Sequence, residues 1–422
     1  MRPTVPPGLS TKCCASAATQ VVSFETQCWR LRPHQIGTVG RFVAGCSFGG
    51  WLRFAEGRCA AGGAVKVLYF GTYDRAYPRN AQVISALRAA GVDVIEQHRP
   101  VWERRHNWKV GCRQMVRVAG AERSLRHTGG VGLDADALIV GYPGHFDLPA
   151  AKRVARGRPV IFNPLVSLHD TVVGDRGRFR QGSTAAGVVH LVDRLAFRRA
   201  DLVVADTAAH AQFFRDEFGL AADRVEVCFV GAEDRLFRPG WQPERPFHAL
   251  FVGKLIPLHG LQTILTAAEM APEIRFRVVG SGQLESLLAL RPGNVDWIPW
   301  IEYDDLPAEI QSAGCALGIF GSGAKAARVI PNKAFQALAC ATPLITADTP
   351  AARELLVDGR DALLVPPGDA AALVQAVRRL AADPAGRARL GAAGRATYEE
   401  RADETTLGLR WRNVVERAIA AA

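Results

Sequence analysis

The chain has 422 residues, too many for one ordinary core, so two domains of roughly 150–200 residues are expected. A hydrophobic content of 48% and a mean hydropathy of +0.03 fit a globular protein, and no apolar run approaches the roughly 18 residues that span a bilayer. The formal charge of +11 favours anionic partners such as phosphates or an acidic membrane face; nucleic acid is disfavoured, since zinc-finger spacing, an RNP-like aromatic strand and a groove-filling basic helix are all missing.

Residues 1–62 hold seven Lys/Arg against two Asp/Glu and show no sustained period, so they read as a poorly ordered extension. Arg2 and Lys12 are not followed by an apolar stretch of the signal-peptide kind, and the expected location is cytoplasmic. Five cysteines (Cys13, Cys14, Cys28, Cys46, Cys59) fall in this segment, and Cys112, Cys228, Cys315 and Cys340 are isolated further on. With no CxxC pair they predict ordinary thiols rather than a zinc or dithiol site.

From Ala64 the texture changes. Val65–Phe70 reads as a buried strand, Asn80–Ala90 as a helix and Val92–Glu96 as a second strand, which makes a βαβ unit. Strands are then predicted at Ala137–Val140, Pro159–Phe162, Asp201–Ala205 and Arg224–Phe229, with helices at Pro149–Arg156, Val188–Arg198 and Ala208–Glu217. Phe237–Phe247, with three prolines, reads as a linker. Beyond it the pattern restarts. Strands are expected at His248–Val252, Arg275–Val279, Val295–Ile298, Cys315–Phe320, Leu344–Ala347 and Ala362–Val365. Helices are expected at Leu261–Met270, Leu284–Leu290, Leu306–Ala313, Lys333–Cys340, Ala351–Val357, Ala370–Ala382 and Glu404–Ala420. Short apolar strands alternating with helices predict an α/β fold: two doubly wound, Rossmann-like domains facing each other across a cleft at the carboxyl ends of their strands.

Three segments carry candidate chemistry. In FVGKLIPLHG, Phe251 to Gly260, a strand ends at Gly253, Lys254 projects beyond it and His259 precedes a helix, a setting that suits a phosphate. In GSGAKAARVIPNKAFQALACATP, Gly321 to Pro343, Lys325, Arg328 and Lys333 gather near a helix start at Pro331. Three cations there oppose the helix dipole unless an anion joins them, and a diphosphate would resolve the conflict; a solvated basic loop is the plainer reading. In SLHD, Ser167 to Asp170, His169 and Asp170 follow a parallel strand and can orient a hydroxyl or exchange a proton. Gly280-Ser281-Gly282 reads as a tight turn beside a nucleotide. Asp134-Ala135-Asp136 spells a DxD sequence, but it precedes a strand and so lies at the end away from the cleft, where a structural role is expected.

From about residue 64 to 420 the chain resembles the family 4 retaining glycosyltransferases of the GT-B type. The likeness rests on three stretches: GAEDRLFRP, Gly231 to Pro239; FVGKLIPLHG, with Lys254 in the place of an arginine and His259 in that of a lysine; and ALACATPLITADTPAARELLVDGRDALLVPPGD, Ala337 to Asp369. The resemblance implies an acceptor domain over residues 63–238, a nucleotide-sugar donor domain over 239–403, and a final helix within 404–422 that crosses back to the first domain. It implies transfer of a hexose, with retention, from a UDP- or GDP-sugar to a hydroxyl of a cell-envelope glycan, glycolipid or secondary metabolite. It also gives His169, Asp170 and Lys254 catalytic roles, and donor binding to Gly253, Lys254, His259, Gly280, Ser281, Lys325, Arg328, Ile330, Asn332, Lys333 and Gln336. No cofactor or metal is expected.

The family carries two glutamates eight positions apart, and the positions that align with them here are Arg328 and Gln336. Gln336 can still accept a ribose hydroxyl, whereas Arg328 accepts no hydrogen bond. Two readings follow: Arg328 meets a diphosphate or an acidic donor sugar, or the chain is a degenerate scaffold that binds a sugar nucleotide or glycan without transfer. The basic stretches Lys152–Arg158 and Arg176–Arg180 are read either as a contact for anionic lipid or as solvated surface.

Overall fold

The computed structural model describes residues 64–75, 77–101, 112–127, 130–240 and 246–422. The expected extension over 1–62 and part of the Pro-rich linker lie outside them. The described residues form one compact unit holding two six-stranded parallel sheets.

The first sheet comprises β1 (Lys66–Gly71), β2 (Asp93–His98), β3 (Ala137–Val140), β4 (Val160–Phe162), β5 (Leu202–Ala205) and β6 (Val225–Val227), in the order β2-β1-β3-β4-β5-β6. Its helices are α1 (Pro78–Ala89), α2 (Cys112–Leu125), α3 (Leu148–Ala155), α4 (Thr184–Arg199) and α5 (Ala208–Phe218). Val67 to Phe70 and Ala137 to Val140 are wholly buried, as expected of strands covered on both faces.

The second sheet comprises β7 (His248–Val252), β8 (Arg275–Val279), β9 (Val295–Ile298), β10 (Cys315–Leu317), β11 (Leu344–Ala347) and β12 (Leu363–Val365), ordered β12-β11-β10-β7-β8-β9. Around it lie α6 (Leu261–Met270), α7 (Leu306–Ser312), α8 (Asn332–Ala339), α9 (Pro350–Leu355), α10 (Ala370–Ala382) and α11 (Pro384–Arg401), and the chain ends in α12 (Glu404–Ala420). Side chains of Ser183, Thr207, Thr349, Asp369, Asp383 and Asp403 accept backbone N–H groups at the starts of α4, α5, α9, α10, α11 and α12, satisfying donors those helices would leave unpaired.

Helix α12 packs on the first sheet's side of the molecule. Leu407, Trp411, Val414, Val415 and Ala418 join one buried cluster with Val83, Ile84 and Leu87 of α1. Gly408 permits the approach, since a Cβ there would fall 2.3 Å from the Ala86 carbonyl oxygen. Asp234 ties the junction together by accepting from the Tyr398 hydroxyl at 2.6 Å and from the Glu404 N–H at 2.9 Å.

Some expectations need correcting. Glu285–Leu290 is a 3₁₀ segment rather than an α-helix, and Cys315–Phe320 is a strand only as far as Leu317, because the chain must leave the sheet to build the loop that follows. Helix α9 begins at Pro350 and ends at Leu355, two residues short of the expected Val357. Helices α2 and α11 went unpredicted. Alanine, arginine and glycine dominate Pro384–Arg401 and leave almost no apolar stripe to read. No helix among the described residues is long and apolar enough to cross a membrane.

Candidate active site

Ligands of open parallel sheets bind where neighbouring strands send their connections to opposite faces. In the second sheet that point lies between β7 and β10, and the loops leaving those strands are the two lysine-bearing segments. Gly253 follows β7 with φ +145°; a side chain there would meet the Lys333 ammonium at 2.9 Å and the His259 ring at 3.3 Å. The Leu255 N–H donates to the Ser281 carbonyl at 3.0 Å, and a Cβ on Gly280 would fall 2.0 Å from the Gly253 carbonyl oxygen. The Gly253 and Gly280 loops are thus laid backbone against backbone, which only glycine allows.

His259 is buried at the centre of this loop and bonds the Lys254 carbonyl through Nδ1. Burial, then the charges of Lys333, Lys254 and Lys325, push its pKa well below the ordinary imidazole value, so the ring is neutral. The Lys333 ammonium and the His259 ring both crowd the Cβ position of Gly253, at 2.9 and 3.3 Å. Lys333 is 8% exposed, its Nζ has no hydrogen-bond partner, and it stands 3.7 Å from the centre of the Phe251 ring. Burial holds its pKa well below the usual ammonium range. Lys325 donates to the Thr171 hydroxyl at 2.6 Å, and burial lowers its pKa while Asp170 and Asp175 oppose that. Lys254 is exposed; protein atoms crowd its head without covering it, and together with Arg176 they lower its pKa. Lys254 and Lys333 have no carboxylate partner among the described residues.

The Arg328 guanidinium pairs with Asp170 of the first domain at 2.7 Å and stacks on the Phe213 ring at 4.0 Å. The same boundary carries further bonds. Thr207 Oγ1 donates to the Arg328 carbonyl, and the Ala208 and Ala209 N–H groups donate to Glu354 at 2.6 and 2.8 Å. Gln336 is buried, and its Nε2 lies 3.5 Å from the Tyr303 hydroxyl. Ile330 is core, and Asn332 is the first residue of α8.

His169 and Asp170 lie at the start of a π-helical turn, Asp170–Asp175. Sequence reading missed the residue that holds them. Buried Asp193 of α4 accepts from Ser167 Oγ at 2.6 Å, Leu168 N at 3.0 Å and His169 N at 2.8 Å. The His169 ring stands edge-on to His190, with centroids 5.3 Å apart. Arg176 was also missed as a site residue. It had been grouped with a lipid-facing or solvated run, yet its carbonyl accepts from Gln283 Nε2 of the Gly280 loop at 3.2 Å. Asp134 pairs with Lys66 at 2.6 Å at the amino end of the sheet, the end away from the cleft.

Residues 246–383 match the family described as Glycosyl transferases group 1. The chain is 30% identical over 155 residues to a phosphatidyl-myo-inositol mannosyltransferase of Mycobacterium leprae, covering 34% of this chain and 40% of that one. It is 27% identical over 300 residues to a D-inositol 3-phosphate glycosyltransferase of Thermomonospora curvata, covering 59% and 67%. It thus spans 40% of the first of these relatives and 67% of the second. Among solved structures, sucrose-phosphate synthase from Thermosynechococcus elongatus superposes with a TM-score of 0.65 at 17% identity, covering 85% of this chain and 100% of that one. Anabaena HepE in complex with UDP gives 0.60 at 14% identity, covering 84% and 99%.

Proposed function

We propose that this chain, a glycosyltransferase by its group 1 domain and its GT-B fold, moves a sugar from a nucleoside-diphosphate sugar to an acceptor hydroxyl. The observation that carries this reading is that Lys254 and Lys333, on the loops at the switch point of the second sheet, have no carboxylate partner among the described residues, Lys333 lying beside His259 under Gly253. A diphosphate brings the missing charge. UDP is the favoured nucleotide, because the solved neighbour HepE is described in complex with UDP and with UDP-glucose.

In the transfer, the bond from the anomeric carbon to the diphosphate oxygen breaks and a bond to the acceptor oxygen forms. The acceptor's proton passes to the leaving diphosphate. Lys254, Lys325 and Lys333 stabilise the charge that grows on that diphosphate, in a cleft where protein dipoles replace water. His259 keeps the loop folded and, being neutral, adds no competing charge. His169, fixed through its backbone by Asp193, stands beside the donor sugar. On this reading the anomeric configuration is retained and side chains alone neutralise the diphosphate. The acceptor belongs to the phosphorylated polyols or polyol glycolipids, the chemistry named in its relatives.

A second reading is favoured by the Asp170–Arg328 pair and by buried Gln336: a scaffold that binds a sugar nucleotide without transferring the sugar. Calorimetric titration of UDP, GDP, ADP and their sugars against wild type and Lys254→Ala tests the first. A nucleotide that binds wild type and loses affinity in the variant supports the donor site, and at a hundredfold excess over Kd it stabilises by about 2.7 kcal/mol. No binding by any nucleotide sinks both readings. Binding with no transfer to any polyol acceptor leaves the scaffold.

A further inference from the structure

Helix α4 shows the solvent an apolar ridge where an outer helix is ordinarily polar. Ser183 caps it, and its inward side is made by Ala186, Asp193, Ala196 and Phe197. On the side directly opposite stand Val188, Leu191 and Leu195, whose spacing sets them in one line along the helix. They are 60%, 52% and 43% exposed. A single exposed leucine is ordinary, but three apolar side chains in a row at the outermost part of a helix mark a contact surface.

The ridge is framed by cations. Arg194 and Arg198 follow it along one side and Arg199 along the other; all three are exposed, and none has a guanidinium partner among the described residues. The one acid of the helix, Asp193, is buried and holds the Ser167–His169 turn instead. Glu217, the acid of α5 beside it, is engaged by His190 at 2.9 Å. The run Lys152–Arg158 has fewer free charges, since Lys152 pairs with Asp201 at 2.7 Å and Arg158 donates to the carbonyls of Gly132, Ala135 and Val154. An apolar line bordered by free arginines fits an anionic lipid surface, with apolar side chains at the acyl boundary and guanidinium groups on phosphates. It fits a second copy of the chain poorly, because a two-fold contact sets the same arginines against each other. Residues 1–62, with seven Lys/Arg against two Asp/Glu, are repelled by it as well.

We propose that the outward face of α4 is a docking surface for an anionic bilayer, seating Val188, Leu191 and Leu195 at the acyl boundary and Arg194, Arg198 and Arg199 on lipid phosphates. The inner side of the same helix holds the backbone of the His169 turn through Asp193, so docking also sets the position of that turn relative to the bilayer. The contact is reversible, because neither three apolar side chains nor three charges anchor a protein alone. Neither signal needs a nucleotide, so the surface stands or falls separately from the donor site.

The test is co-sedimentation of the full chain with vesicles of phosphatidylcholine alone and of phosphatidylcholine with about 30% phosphatidylglycerol. The chain is expected on the anionic vesicles and not on the neutral ones, with binding that weakens as salt rises. Each arginine is worth about fivefold at such a surface, so the triple variant Arg194→Gln, Arg198→Gln, Arg199→Gln should bind about a hundredfold more weakly. The double variant Leu191→Ser, Leu195→Ser should bind about tenfold or more weakly. Leu290→Ser is the control: that leucine is 92% exposed in the second domain, and its loss should leave vesicle binding unchanged. A chain that stays in solution with both vesicles, or binds both equally, overturns the proposal. So does a triple or a double variant that binds like wild type, or an equal loss in Leu290→Ser. A chain that ignores vesicles but forms a dimer in sedimentation velocity, dispersed by Leu191→Ser with Leu195→Ser, assigns the ridge to a second copy and overturns it too.

Discussion

Asp170 and Arg328 face each other across the cleft at 2.7 Å, 158 positions apart in the chain, with side-chain exposures of only 13% and 17%. Each comes from a different sheet domain, so the pair forms only when the two domains meet as they do here. Phe213 of α5 lies under the guanidinium, and the Thr207 and Glu354 bonds extend the same seam.

Arg328→Ala leaves Asp170 shielded and unpaired. The expected loss is roughly 2–3 kcal/mol, below the about 3–5 kcal/mol of a fully buried pair because some solvent still reaches both groups. The double variant with Asp170→Ala should cost less than the two single changes together, by about 1–2 kcal/mol. Urea unfolding of the four proteins measures this; strict additivity would show that the pair contributes no coupling.

Lys333→Met keeps the length of the side chain and removes a buried, unpartnered charge. The free protein should become more stable by about 1–3 kcal/mol, while UDP affinity falls by about tenfold or more. The pH dependence has a definite sign. A lysine whose folded pKa lies below 10.5 favours the folded state more as pH rises towards 10.5, and that contribution is lost as pH falls through the folded value. Wild type should therefore gain stability relative to Lys333→Met as the solution is made alkaline. A difference that stays flat with pH would contradict the burial of this ammonium.

Gly280→Ala drives a methyl group into the Gly253 carbonyl from a backbone of φ +140°. Strain of about 1–3 kcal/mol is expected, relieved only by parting the two donor loops, so UDP binding should fail with it. Gly219→Ala is the control: φ is +64° at the end of α5, with nothing within 4 Å. It should cost about 1 kcal/mol and leave the nucleotide alone. Equal losses of UDP affinity in both variants would separate the glycine contact from the site.

Asp147 is wholly buried, accepts from Thr72 N at 2.8 Å, and has its pKa raised by burial to about 6. A raised carboxyl stabilises the fold while it is protonated, so this contribution is complete below about pH 4 and is lost as pH rises to about 6. Asp147→Asn should raise Tm at pH 7.5 by an amount equivalent to about 1–3 kcal/mol, and the gain should vanish near pH 4. A gain that persists at pH 4 would assign the effect to packing.

The alternation of strands and helices was legible because it is local. A run such as Val67 to Phe70 is apolar on both faces whatever surrounds it, and Ser183, Thr207 and Asp403 cap their helices from within three residues. The loop FVGKLIPLHG declared itself for the same reason, as a strand end, a cation and a helix start in one short stretch. Helix α11 stayed hidden because its composition leaves little apolar stripe to detect.

What each charge does was settled only by the tertiary structure. Lys325, Arg328 and Lys333 are alike in sequence as cations of one loop, yet one donates to Thr171, one is neutralised by Asp170, and one is buried beneath Gly253 with no partner. Arg176 belongs by sequence to a basic surface run, and by structure its backbone carbonyl meets Gln283 of the Gly280 loop. Periodicity fixes which side of a helix or strand is buried, but whether a charge meets a carboxylate, a hydroxyl or nothing depends on the segment delivered against it from more than a hundred residues away.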